Sequence, residues 1–154
     1  MSLFQRSPTM ATWLAFYARD HQHPVNHTLH RIFIPLIVFS SAGFLAQVPW
    51  HRTLYGVPLG FPEAALALLI AFYAAHDLKL AFLAVPFAGL MAVGARALPW
   101  PAHLGIFVVS WVAQLIGHAR FEHNRPSLTA NLMALLIAPA FLLDELLPKP
   151  VEQD

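Results

Sequence analysis

The sequence predicts an all-α fold, a polytopic bundle of about four to five membrane segments preceded by an N-terminal interfacial helix. Three observations predict it. Hydrophobic residues make up 58% of the 154 residues and charged ones only 11%, where a soluble domain carries about 25% charged. The apolar residues fall into five runs dominated by Phe, Leu, Val and Ala. None of the runs alternates in the two-residue period of a strand or is joined by a two-residue hairpin turn, so each reads as helix.

The elements follow in order. Ser7-Pro8 is an N-cap followed by proline at the first helical position. Met10, Trp13, Leu14 and Tyr17 then recur at helical spacing, which predicts a helix lying in the interface with its aromatics at headgroup level. Pro24 is expected to end it and Asn26 to cap the next. The first apolar run, Ile32 to Trp50, is uncharged. No basic residue followed by an apolar run precedes it near the N-terminus, so no secretory signal is expected. Pro62 to Ala75 and Leu80 to Ala95 are shorter and form either two short spans or a hairpin that enters and returns. Ala97 to Gly117 contains a helix starting near Ala102, and Ser127 to Leu143 is the fifth run, closed by Asp144 and Glu145. A hydrocarbon core of about 30 Å takes roughly 17–25 helical residues; the first and fourth runs meet that comfortably. One domain covers 1–154: an interfacial helix and histidine corner over 1–30, membrane helices over 31–147 and a polar tail over 148–154.

Composition also narrows the chemistry. There is no cysteine, which removes disulfides, thiolate metal sites and cysteine nucleophiles. A net charge of +1 gives no field for nucleic acid. No Gly-rich phosphate loop, GxSxG elbow or HExxH is present. Histidine stands out, with nine residues, as many as Lys and Arg together.

Five segments place the N-terminus, the 76–79 loop and the 118–126 loop on one side, with Arg6, Arg19, Arg31, Lys79, Arg120 and Arg125. Arg52, Arg96 and Lys149 fall on the other. The positive-inside rule then puts the N-terminus in the cytoplasm. The same parity gathers His21, His23, His27, His30, His76, His118 and His123 at the cytoplasmic end and leaves His51 and His103 at the far end.

Two stretches carry the chemistry. In the corner from Tyr17 to His30, His21 ends one helix while His27 and His30 lie three apart on the next, so imidazoles from two helices can share a space. In the second, Gln114, His118 and Glu122 fall at i, i+4 and i+8 on one helical face. An amide inside an apolar segment is costly unless used. An imidazole and a carboxylate one turn apart suit a metal, either as two ligands or as a ligand and the group that orients it. Each stretch alone also fits a capping corner or a helix-end hydrogen bond. Together they offer imidazole and carboxylate without thiolate, which favours iron over structural zinc.

At these residues the chain resembles the membrane 2-hydroxy-palmitic acid dioxygenase family. The pattern Y-x3-H-x4-N-x3-H-x2-G-x-P is met by Tyr17, His21, Asn26, His30 and Pro35, with Phe33 in place of the glycine. The pattern Q-x2-G-H-x2-F-E-x3-P is met by Gln114, Gly117, His118, Phe121, Glu122 and Pro126. Asn131, Leu132, Pro139, Phe141 and Glu145 echo a downstream motif. The resemblance implies an Fe(II)-dependent dioxygenase that shortens long-chain 2-hydroxy fatty acids by one carbon, with O2 and membrane lipid as its other partners. The expected metal ligands are His21, His30 and His118, with Glu122 a fourth ligand or their partner. Tyr17, Asn26, Gln114 and Glu122 are the catalytic candidates. Arg19, Arg31, Arg120 or Arg125 is expected to hold the substrate carboxylate. The site would face the cytoplasm from a bacterial inner membrane or the endoplasmic reticulum. Two other readings stay open: a di-iron hydroxylase or desaturase, since His23-x3-His27 resembles a histidine box, and a non-enzymatic lipid-binding protein.

Overall fold

A computed structural model of the chain describes residues 5–122 and 132–148. Its elements run α1 (Pro8–Arg19), α2 (Pro24–Ala46), β1 (His51–Leu54), β2 (Val57–Gly60), α3 (Phe61–His76), α4 (Leu78–Gly94), α5 (Trp100–Gly117), a π turn over His118–Glu122, and α6 (Leu132–Asp144). The chain is mostly helical, as expected.

The start of α1 follows the sequence signal: the Ser7 hydroxyl accepts from the Met10 amide at 3.1 Å and Pro8 takes the first helical position. Its end does not. The helix stops at Arg19, and Pro24 instead opens α2, its fixed φ suiting a first helical residue, with His23 as the cap accepting from the Val25 amide at 3.2 Å. Asn26, expected as that cap, is fully buried inside the first turn of α2.

The all-helical expectation needs one correction. Between α2 and α3, β1 and β2 pair as an antiparallel hairpin with His51 opposite Gly60 and Leu54 opposite Val57. Its turn is Tyr55-Gly56, both at positive φ (50° and 80°), the conformation whose twist matches that of paired strands. Glycine supplies that geometry freely, and Thr53 and Val57 beside it favour strand.

α2 and α5 form the central antiparallel pair. At one end Asn26 packs on Gly117, and at the other the ring of His103 packs on Gly43, in both cases where a Cβ would collide. Pro24–Ala46 and Trp100–Glu122 are 23 residues each and apolar enough to cross a membrane, and only 28% of either span is buried within the protein. α3 and α4, with 16 and 17 residues, measure about 24–26 Å at ~1.5 Å per residue, short of a full hydrocarbon core of about 30 Å.

α3 and α4 form a hairpin whose turn lies at the end from which the chain set out. Asp77 caps α4, accepting from the Lys79 and Leu80 amides at 3.0 and 3.4 Å. Arg6 ties that corner to the N-terminus, donating to Asp77 at 2.7 Å and pairing with Asp144. At the far end Arg96 pairs with Glu63. Met10 and Leu14 of α1, Tyr73 of α3, Leu80 and Ala84 of α4 and Ile137, Ala140 and Leu143 of α6 form the main apolar core, at the near end.

α6 departs from the expected parity. A fifth crossing would carry its C-terminus to the far side, yet Asp144 pairs with Arg6, and Glu145 with Arg31 and His27, all at the near end. The carboxylates that close α6 are held by near-end cations. Lys149, assigned to the far side, lies outside the described residues, as do His123, Arg125, Pro126, Asn131 and residues 127–130 of the fifth run.

Candidate metal centre

The near end of the α2–α5 pair, closed by the end of α1, holds three imidazoles. His21 sits just beyond α1, its amide bonded to the Ala18 carbonyl at 3.1 Å and its ring stacked on Tyr17 at 4.0 Å and 11°. His30 lies on the buried face of α2, and His118 begins the π turn after α5. Such π turns recur at functional sites, where they re-aim a side chain. The three rings stand nearly perpendicular to one another: His21 to His30 at 4.3 Å and 77°, His21 to His118 at 4.7 Å and 77°, His30 to His118 at 4.9 Å and 89°. One nitrogen from each lies within 4.8 Å of the others, a group that could hold a metal ion.

Hydrogen bonding fixes the tautomers. Nδ1 of His21 meets the Tyr17 carbonyl at 2.6 Å, and Nδ1 of His30 meets the Asn26 carbonyl at 2.8 Å, each four residues back. A carbonyl oxygen only accepts, so both Nδ1 atoms carry the proton and both Nε2 atoms present lone pairs. Those Nε2 atoms face each other at 3.0 Å. Two bare lone pairs at that distance repel unless a proton or cation lies between them. A proton is disfavoured, because burial, with the nearby His118, pushes His21 down to about 4 despite the Tyr17 carbonyl. A cation held by both Nε2 atoms would remove that repulsion, and buried imidazole nitrogens without thiolate are a donor set that suits one. Backbone carbonyls orienting metal-bound imidazoles through the second nitrogen are the usual supporting arrangement.

Glu122 lies outside this group. Its Oε1 accepts from the His23 amide at 2.9 Å and from the Asn26 side-chain amide at 3.0 Å. The carboxylate therefore meets the unpaired amides at the N-terminus of α2, where negative charge is favoured. Through Asn26, whose carbonyl orients His30, it ties the π turn bearing His118 to the helix bearing His30. Asn26 Oδ1 and Gln114 Oε1 are buried with no hydrogen-bond partner among the described residues. Burial raises the pKa of the Tyr17 phenol, which keeps its proton.

The other near-end histidines serve elsewhere. His27 pairs with Glu145 at 2.9 Å, His23 caps α2 and stacks on Phe121 at 4.9 Å, and His76 meets the Ser7 hydroxyl at 3.1 Å. The spacing that put His27 beside His30 on one face thus brings only His30 to the group. His23 and His27 do not join in a second metal group among the described residues, as a di-iron reading requires. Sequence reasoning missed the part played by the Tyr17 and Asn26 carbonyls. The signal was there: both residues precede a histidine by four.

Fold and site together define a helical protein with two candidate membrane-spanning helices and a buried three-histidine group at one end. Residues 7–149 match the family model described as 2-hydroxy-palmitic acid dioxygenase Mpo1-like, and the chain belongs to that family. It is similar to the 2-hydroxy-palmitic acid dioxygenase MPO1 of Saccharomyces cerevisiae, 33% identical over 141 residues, which cover 88% of this chain and 78% of the yeast protein. No solved structure matches the chain.

Proposed function

We propose that the chain is an Fe(II)-dependent dioxygenase that removes the carboxyl carbon of long-chain 2-hydroxy fatty acids, with His21, His30 and His118 as the metal ligands. The facing Nε2 atoms of His21 and His30 are the observation that carries this reading, since two buried, deprotonated nitrogens 3.0 Å apart call for a cation. Imidazoles accept zinc as readily as iron, but zinc has no redox chemistry, and the yeast relative is named as a dioxygenase. When bound, the ion supplies the one-electron chemistry with oxygen that no side chain here provides.

The reaction balances as R–CH(OH)–COOH + O2 → R–COOH + CO2 + H2O, with four electrons passing from the two terminal carbons to oxygen. The chain's own groups bind and orient. The Tyr17 and Asn26 carbonyls hold the imidazoles in the tautomer that leaves Nε2 free. Glu122 and Asn26 fix α2 against the π turn. The unpartnered oxygens of Asn26 and Gln114 are acceptors for the 2-hydroxyl proton or a bound water. The stacked Tyr17 ring shields the group from solvent.

In the same reading the 154 residues are one membrane domain, α1 lies in the interface, the α3–α4 hairpin brings the spans to four, and the histidine end faces the cytoplasm by its excess of Arg and Lys. The test is a mass-spectrometric time course with iron-loaded protein, O2 and 2-hydroxypalmitate. The acid one carbon shorter should accumulate, a chelator should stop it, and palmitate should be inert because it lacks the hydroxyl that the site receives. Absence of shortened acid from folded, iron-loaded protein across several chain lengths leaves a non-catalytic lipid-binding protein.

A further inference from the structure

A second feature opens at the same end of the bundle as the metal centre, although none of the three histidines lines it. Between α2, α3, α4 and α6 runs a groove of about 380 Å³ whose walls are mainly aliphatic, among them Ile34, Val38, Leu66, Ala88, Met91 and Leu142. Its floor lies near the far-end cluster of Ala42, Leu66 and Ala95. Its mouth, formed by Arg31 and Glu145, lies at the histidine end. Seven residues of α2 separate Arg31 from Val38, which makes the trough about 10 Å deep.

One helical spacing and one ring contact place the mouth near the histidines. Ile34 follows His30 by four residues, so the wall begins one turn below that imidazole on the same face of α2. Phe141 packs on Tyr17 at 5.0 Å and on His27 at 5.4 Å, while the next residue, Leu142, lines the groove. The mouth carries one cation and one carboxylate, paired with each other, and the cation keeps a free edge. Glu145 takes Nε of Arg31 and Nε2 of His27, both at 2.9 Å. The Arg31 side chain is 58% exposed, and its two Nη groups have no partner among the described residues. A guanidinium edge of that kind takes a carboxylate through paired hydrogen bonds. Of the other arginines considered for this role, Arg19 is bonded to Asp20 on the exposed surface.

We propose that this groove binds the hydrocarbon tail of the 2-hydroxy acid and that Arg31 at its mouth takes the carboxylate, which makes Arg31 and the groove floor the determinants of headgroup and chain length. The ligand class rests on the dioxygenase reading; the location rests on the groove. Each methylene buried contributes about fourfold in affinity. Ala88→Phe, which fills the trough from α4, therefore weakens long chains progressively and spares short ones, at unchanged iron content. Arg31→Gln weakens the acid about 10–100-fold, and Arg31→Lys recovers part of that.

The experiment uses 2-hydroxypalmitate carrying a diazirine at mid-chain, the depth that the trough reaches, photolysed with the iron-loaded full chain in lipid nanodiscs, with adducts mapped by peptide mass spectrometry and turnover of the unmodified acid followed in parallel. Adducts on Val38, Leu66 and Met91, displaced by excess 2-hydroxypalmitate and lost in Ala88→Phe, are expected. Adducts confined to the outward-facing Leu68, Leu90 and Val93 overturn the groove, as does an unchanged chain-length profile in an Ala88→Phe protein that retains its iron. If Ala88→Phe loses its iron, Val38→Phe from the opposite wall replaces it. Groove adducts without turnover leave the binding site standing and remove the dioxygenase reading; turnover with adducts elsewhere does the reverse.

Discussion

Adding one methyl group at Gly117 should damage the metal centre, while the same change at Gly105, three turns earlier on α5, should not. A Cβ on Gly117 would overlap Asn26 Oδ1 and stand 3.0 Å from Leu29 Cδ1, whereas a Cβ on Gly105 meets nothing within 4 Å. In either position, alanine gains about 0.5–1 kcal/mol of helix stability over glycine. At Gly117 overpacking costs about 1–3 kcal/mol, and displacing Asn26 forfeits its bond to the Glu122 carboxylate, about 1.5–3 kcal/mol more. Gly117→Ala should therefore lose roughly 2–5 kcal/mol overall, and Gly105→Ala should gain about 0.5–1 kcal/mol. Because the Asn26 carbonyl orients His30, iron affinity in Gly117→Ala should also fall about 10–100-fold. Unfolding curves in detergent and iron competition against a chelator read the two effects. Equal behaviour of the two alanine variants would refute the α2–α5 contact as the device that sets the histidines.

Three shorter predictions address other parts. Glu122→Gln keeps an acceptor for the His23 and Asn26 N–H groups and should hold iron within about tenfold, while Glu122→Ala should lose about 10–100-fold; equal and complete loss in both would make Glu122 a ligand. In metal-stripped protein, His21 stays neutral down to about 4 when folded and titrates at 6.5 when unfolded. Between those values the unfolded chain binds more protons, so the contribution is full above about 6.5 and declines as pH falls toward 4, by about 3 kcal/mol in total; equilibrium unfolding should show that slope, reduced in His21→Phe, and a flat profile contradicts it. Arg6→Ala removes the cation paired with Asp77, whose side chain is 2% exposed and keeps its bonds to the Lys79 and Leu80 amides, and should cost about 1.5–3 kcal/mol, partly recovered by adding Asp77→Asn, as measured by unfolding.

The sequence carried a good part of this. Ser7-Pro8 marked the start of α1 because capping is local chemistry, and the apolar runs marked the helices because long uncharged runs without strand alternation favour them. Tyr17, His21, Asn26, His30 and His118 stood out through the resemblance to the family pattern. What escaped was set by tertiary contact. Asn26 reads as a cap from its neighbours, yet it is drawn into the interior by Glu122, 96 positions away. His27 and His30 share a spacing that cannot say which one faces α5 and which one meets Glu145. The parity of α6 was misjudged because Arg6, more than a hundred residues earlier, pairs with Asp144. The Tyr55-Gly56 turn lay between apolar runs, where helical periodicity drew attention away from a short hairpin.

The three-histidine site is tested most directly by elemental analysis of protein purified without oxygen and loaded with Fe(II), alongside single alanine variants. The proposed site predicts one iron per chain, lost on His21→Ala, His30→Ala or His118→Ala while the variants still fold. It should be retained on His76→Ala, whose ring meets Ser7 and Trp13 instead. Two irons per chain, or equal loss from His76→Ala and the three predicted ligands, would contradict it.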